Sequence, residues 1–214
     1  MKRTSSPKIL LSIALLFCTL LGANKVKAQS RQFDFEIRGG STFCQIDGDN
    51  SGNYNKIGYF ASVGTSMPLG DNERMRFVVE IGLNQKGSRI DNYNLNRNIS
   101  LLYVEVPLML AYDMLDNNQL RIGAGIAPAI LAHAKVTTDY ADDPLQSENY
   151  KRMDLLPICV NVRYRVSERL GIGVRWYNSL LNVAKENGSG TYRIFRSNKG
   201  QFNRLIQAGV TLNF

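Results

Sequence analysis

Six charged residues recur inside stretches where apolar and polar residues alternate: Glu36, Arg38, Glu80, Glu105, Arg163 and Arg175. Each shares the parity of small or polar residues, while Phe35 and Ile37, Val79 and Ile81, Val104, Val162 and Val174 take the opposite parity. On a strand, a period of two places the charges on one face and the oily side chains on the other. Because their signs are mixed, the charges predict a mutually paired network inside a narrow space rather than a single-sign filter for ions. Glu80 and Glu105 are expected to face the same interior across one hairpin, and two such acids need basic partners. Arg163 and Arg175 are the candidates, so the four residues form the candidate site, read as a structural charge network.

Other reactive groups point to less. His133 is the sole histidine and has Ala132 and Ala134 as neighbours, with no local serine to make a nucleophile and base pair. No catalytic residue is assigned on this evidence, although an enzyme acting on membrane lipid is a testable alternative. Asp47-Gly48-Asp49-Asn50-Ser51-Gly52 echoes the front half of a calcium loop, but the position of the closing acid is Gly58. A solvated loop is the simpler reading, and neither a metal nor a cofactor is expected. Lys185, Arg193, Arg196 and Lys199 against Glu186 make a basic loop that could meet lipopolysaccharide phosphates, although an ordinary solvated loop is again simpler. Cys44 and Cys159 fall on the expected first and sixth strands, which are not neighbours, so both are expected as free interior thiols.

The elements that must hold these residues are strands. Alternating stretches occur at about 32–46, 57–66, 77–86, 102–112, 120–132, 158–165, 170–177 and 206–214. The connections between them alternate long and short: 47–56, 87–98, 133–153 and 182–200 are long and polar, whereas 70–73, 116–118 and 167–169 are tight turns. That rhythm predicts an all-β, eight-stranded antiparallel up-and-down transmembrane β-barrel, with short periplasmic turns and long external loops. Closure satisfies every backbone group in lipid, and the interior of so small a barrel is filled by side chains. Phe33, Phe35, Phe77, Tyr112 and Phe214 are expected at the periplasmic rim, and Phe43, Tyr59, Trp176 and Phe202 at the outer rim. A soluble carrier with its oily face inward is the alternative, and the charges on the small-residue face and the terminal Phe214 weigh against it.

Lys2, Arg3 and Lys8 precede an apolar run from Ile9 to Leu21, and Val26-Lys27-Ala28 supplies a small residue for cleavage. The run is shorter than the roughly 20 residues of a membrane-spanning helix. Residues 1–28 are therefore read as a cleaved signal peptide and 29–214 as the barrel domain, exported to the outer membrane. Cys18 follows Phe17 inside the apolar run, which argues against a lipid anchor. The leader holds five of the 26 Lys and Arg residues and no acid, leaving 21 against 18, so the formal charge falls from +8 to +3. Nucleic acid is not an expected partner.

Tyr103-Val104-Glu105-Val106-Pro107-Leu108-Met109-Leu110 resembles the Glu-Pro strand of PorT-like outer-membrane barrels of Bacteroidetes-type bacteria. Arg38-Gly39-Gly40, Asn84 to Ser88, Gly123-Ala124-Gly125 and Arg175 to Leu180 agree with that family in order, while Pro157, Cys159 and Asn161 stand where glycines would be usual. The resemblance implies a cofactor-free membrane barrel, and a founding member linked to protein secretion. It adds possible protein partners, through external loops or a secretion complex, to outer-membrane lipid and lipopolysaccharide. Within a closed sheet Pro107, which lacks a ladder donor, is expected at a bulge.

Overall fold

The computed structural model describes residues 33–49, 54–70, 73–92, 95–115, 119–139, 141–184 and 200–214. The leader with its expected cleavage position, residues 50–53 of the first loop and the basic residues of the last loop lie outside them. Residues Gln32–Phe214 form one compact unit. Its strands are β1 (Asp34–Asp47), β2 (Lys56–Leu69), β3 (Met75–Asn92), β4 (Leu95–Glu105), β5 (Leu108–Asp113), β6 (Leu120–Thr138), β7 (Ala141–Asp142), β8 (Met153–Arg165), β9 (Leu170–Asn178) and β10 (Phe202–Asn213). A single helical turn, α1 (Pro144–Ser147), lies between β7 and β8 and is capped by the Asp143 carboxylate, which accepts from Gln146 N–H.

All ten strands belong to one antiparallel sheet. β4 and β5 are two halves of one crossing, both paired to β3 and β6, and β7 is a two-residue appendage of β6, so the ring has eight crossings. β1 pairs with β10 from Glu36↔Asn213 to Asp47↔Phe202, which closes it. Outward positions from Phe35 to Phe43, Ile57 to Leu69, Met75 to Leu83 and Leu120 to Ile130 carry no charged residue. Ile37, Ile57, Val63, Ile81, Leu110, Ile172 and Val210 are all exposed there. Such a continuous apolar belt around a closed ring suits hydrocarbon, not water. The Phe35 and Phe214 rings lie 6.2 Å apart at the rim where β1 begins and β10 ends.

Four expectations need correction. The 87–98 segment is not a loop: β3 and β4 continue as a paired hairpin from Gly87↔Ser100 to Asn92↔Leu95. Above the lipid the outward face can be polar, so the alternation fades while the hydrogen-bond ladder persists. β6 likewise runs through His133 to Thr138, and β8 starts earlier than the alternation suggested. Phe202 is buried, with 8 % exposure, on the same parity as Ile206 and Val210, so it is covered and is no part of an exposed outer aromatic rim. Pro107 does not sit in a bulge, because Gly82↔Glu105 and Val79↔Leu108 keep one register on either side of it. Its carbonyl accepts from Glu80 N–H at 3.0 Å, and Val106 N–H donates to Pro128 O at 2.9 Å, so each proline keeps the acceptor half of its ladder pair. The register shifts elsewhere, at Leu102/Tyr103, where Ala132 is the extra residue, and between Gly125 and Ala127, where Pro157 and Ile158 share one gap.

The β5–β6 contact is close enough to test. A Cβ on Gly125 would lie 2.0 Å from Leu108 O, whereas one on Gly39 would meet nothing nearer than 3.6 Å. Gly125→Val is therefore expected to abolish the folded, heat-modifiable band on gels run with and without boiling, and Gly39→Ala to preserve it.

Candidate functional site in the lumen

The inward positions follow from the strand period. β1 sends Glu36 and Arg38 inward, β3 sends Glu80, Asn84 and Lys86, β4 sends Tyr103 and Glu105, and β9 sends Arg175 and Tyr177, all of them buried. At the end of the barrel where β1 begins and β10 ends, Arg76 pairs with Asp34, Arg121 grips Asp113 through two bonds of 2.6 and 2.9 Å, and Arg163 pairs with Glu36. Bidentate guanidinium contacts of this kind are the strongest carboxylate pairs available to side chains.

At mid-height, Glu80 is the focus. Arg175 binds it through both terminal nitrogens, at 2.7 and 3.1 Å, Arg38 approaches at 3.3 Å, and the Ser62 hydroxyl donates at 3.1 Å. Arg175 also donates to Asn161 Oδ1 and to the Tyr177 hydroxyl, and Arg38 lies over the Phe60 ring, so the surrounding residues orient both guanidiniums. Higher up, Glu105 is engaged from two sides: Lys86 Nζ lies 2.6 Å away as an ion pair, and Asn84 donates at 3.1 and 3.2 Å. Lys86, with no exposed surface, also lies 3.5 Å from Asp154 and 4.4 Å from the centre of the Tyr103 ring. Asp154 in turn accepts from Asn203 at 2.8 Å and from Ser179.

Glu80, Glu105, Arg163 and Arg175 thus all enter the lumen, but as members of three separate pairings. Arg175 serves Glu80, Arg163 serves Glu36, and Glu105 is held by Lys86 rather than by an arginine. Lys86 was visible on the inward parity of its strand. Asp154 was hidden because the irregularity at Pro157 and Ile158 breaks the alternation: Asp154, Leu156, Cys159 and Asn161 are all buried although their numbers change parity. The cavity beside Glu80, Glu105 and Arg175 measures about 10 Å³, no more than roughly one water-sized probe.

Toward the outer mouth the lining mixes apolar side chains with buried polar ones: Lys56 donates to Asn98 Oδ1 at 2.8 Å, and the Ser88 hydroxyl donates to Asp49. Ile46, Ile99, Val136, Tyr150 and Val183 belong to one buried cluster, and Lys151 N–H donates to Val183 O at 2.7 Å, tying the two external segments together. Cys44 and Cys159 are free, buried and on non-adjacent strands; the Cys44 thiol donates to Lys56 O at 3.4 Å. His133 is exposed on β6. Asp47 is engaged by Arg204 at 2.8 Å, so one oxygen of the calcium-like sequence already serves a pair within the barrel.

A closed antiparallel ring with an apolar exterior and an ion-paired interior is an integral outer-membrane β-barrel. Residues 27–185 match the outer membrane protein beta-barrel domain family, and the chain belongs to it. Among solved structures it is similar to neisserial surface protein A, at 10 % identity and a TM-score of 0.52, covering 84 % of this chain and 97 % of that one. It is also similar to the attachment invasion locus protein Ail of Yersinia pestis in complex with the heparin analogue sucrose octasulfate, at 7 % identity and a TM-score of 0.50, covering 86 % and 99 %. Identities this low establish a shared fold. No curated protein matches the chain in sequence.

Removing one member of a buried pair strands the other. Arg175→Met is expected to destabilise the barrel by about 3–5 kcal/mol, measured by urea unfolding in lipid vesicles. Adding Glu80→Gln to it should not recover the loss, since Arg38 then loses the carboxylate that it pairs with.

Proposed function

We propose that this outer-membrane barrel is a non-enzymatic, non-conducting scaffold of PorT-like type that acts through its external surface or within a partner complex. One observation carries the reading: among the described residues the lumen is occupied by tiers of paired charge, with a cavity of only about 10 Å³ at mid-height, beneath buried side chains that include Ile46, Ile99 and Lys56. Ions would have to break Arg175–Glu80 and Lys86–Glu105 to pass, and small barrels leave little space beyond their side chains. The Tyr103-to-Leu110 strand, with inward Glu105 and its Pro107 interruption, supports the PorT-like assignment.

Protein reconstituted into planar bilayers is expected to be electrically silent, and discrete conductance steps altered by Glu105→Gln would favour a narrow channel instead. His133→Ala should leave the lipid A profile of the cell unchanged; an altered profile would restore the enzyme reading. A role in protein secretion is the second reading, favoured by the resemblance of the Glu-Pro strand. It requires that deletion of the gene reduce exported proteins and that the barrel co-purify with a secretion complex.

A further inference from the structure

The barrel wall has a notch at its outer rim. β6 pairs with β8 only as far as Ile130↔Met153, followed by one bond from Leu131 N–H to Arg152 O at 2.7 Å. Beyond that point the preceding segment leaves β6: Lys151 bonds to Val183 and Tyr150 bridges to Ala184. β6 itself continues upward with Ala132 as the extra residue of its bulge. An open groove of about 810 Å³ results, lined by Ile130, Ala132, His133, Tyr150, Lys151 and Arg152 among others.

The chemistry of this groove is divided by height. Below it, Ile130 and Met153 are 59 % and 63 % exposed and continue the apolar belt. At its level, Lys151 and Arg152 are exposed cations, set against Glu148 as the acid in the lining. Above it, Lys135 is held by Asp142 at 3.0 Å. Apolar surface directly beneath a pair of exposed cations, at the edge of the lipid belt, complements an acyl chain that ends in a phosphorylated headgroup. We propose that the notch between β6 and the Tyr150–Arg152 segment holds a phosphorylated outer-leaflet glycolipid of the lipid A class, its phosphate at Lys151 and Arg152 and one acyl chain along Ile130 and Met153. The site rests on the membrane-barrel assignment and is independent of whether the lumen conducts.

The test uses the full barrel in detergent, titrated with diphosphoryl lipid A and followed by native mass spectrometry. Combined Lys151→Glu and Arg152→Glu should weaken binding by about tenfold or more. Ala132→Trp, which fills the groove without altering charge, should weaken it comparably. Arg89→Glu reverses an exposed charge on β3 and should change affinity by less than about twofold, since screening confines surface electrostatics to roughly 10 Å. Dephosphorylated lipid A should bind more weakly, and millimolar inorganic phosphate should not displace the lipid. Heat-modifiable migration of each variant separates loss of the site from loss of the barrel. Undiminished binding in the double reversal or in Ala132→Trp, an equal loss in Arg89→Glu, equal binding of the dephosphorylated lipid, or displacement by free phosphate would each overturn the proposal.

Discussion

The structure depends on neutralising charge inside a ring that has hydrocarbon outside it. A strand that crosses a bilayer has one face in lipid, where arginine or lysine at mid-depth costs about 2–4 kcal/mol, so ionic residues must turn inward. Once inside they are crowded, and each needs a counter-charge at contact distance. Glu80 shows the result: a bidentate Arg175, a second guanidinium from Arg38 and a hydroxyl from Ser62 surround a single carboxylate. These contacts tie β1, β2, β3 and β9 together across the lumen, so the side chains reinforce a ring that the backbone ladder has already closed.

The same arrangement bears on function. Charge in the lumen is consumed in pairs, with Arg163 on Glu36, Arg121 on Asp113 and Lys86 between Glu105 and Asp154. On the proposed non-conducting reading this interior polarity fills the barrel, which leaves the outer wall, the external segments and the rims to meet other molecules. That is why the notch beside β6, where the wall departs from regular pairing, stands apart from the rest of the barrel.

Legibility in the sequence followed the alternation. Where a strand keeps its register and turns one face to the apolar belt, as β1, β2 and β10 do over most of their length, the period of two placed Glu36, Arg38 and Gln207 inward and Ile37, Val63 and Val210 outward. It failed for two physical reasons. Above the lipid the outward face turns polar, with Arg89 and Asp91 exposed while Ser88, Ile90 and Ile99 stay buried, so the Ser88–Asn92 and Leu95–Ile99 hairpin lacked the apolar outward face that marks a membrane strand although its ladder is intact. At an irregularity the parity inverts, which concealed Asp154, whereas the bulge expected at Pro107 from its missing donor is absent because the ladder keeps its register there. Arg175 was a legible candidate for Glu80, but most of the pairing was not readable, because pairs such as Arg38–Glu80 and Glu36–Arg163 join strands that are not neighbours in the ring.

The seam between β1 and β10 has a consequence for how the barrel is made. Ile37 faces Leu212, and Phe35 and Phe214 exchange backbone hydrogen bonds at 2.9 and 3.3 Å, so the strand that starts the ring waits for the strand that ends it. During synthesis and transit every earlier hairpin exists without that partner, exposing two open sheet edges and an oily outer face to water, a combination that invites aggregation. Assembly therefore calls for escort across the aqueous compartment and for a catalyst that keeps the first edge occupied until the last strand arrives. The seam is the gate through which biogenesis has to pass.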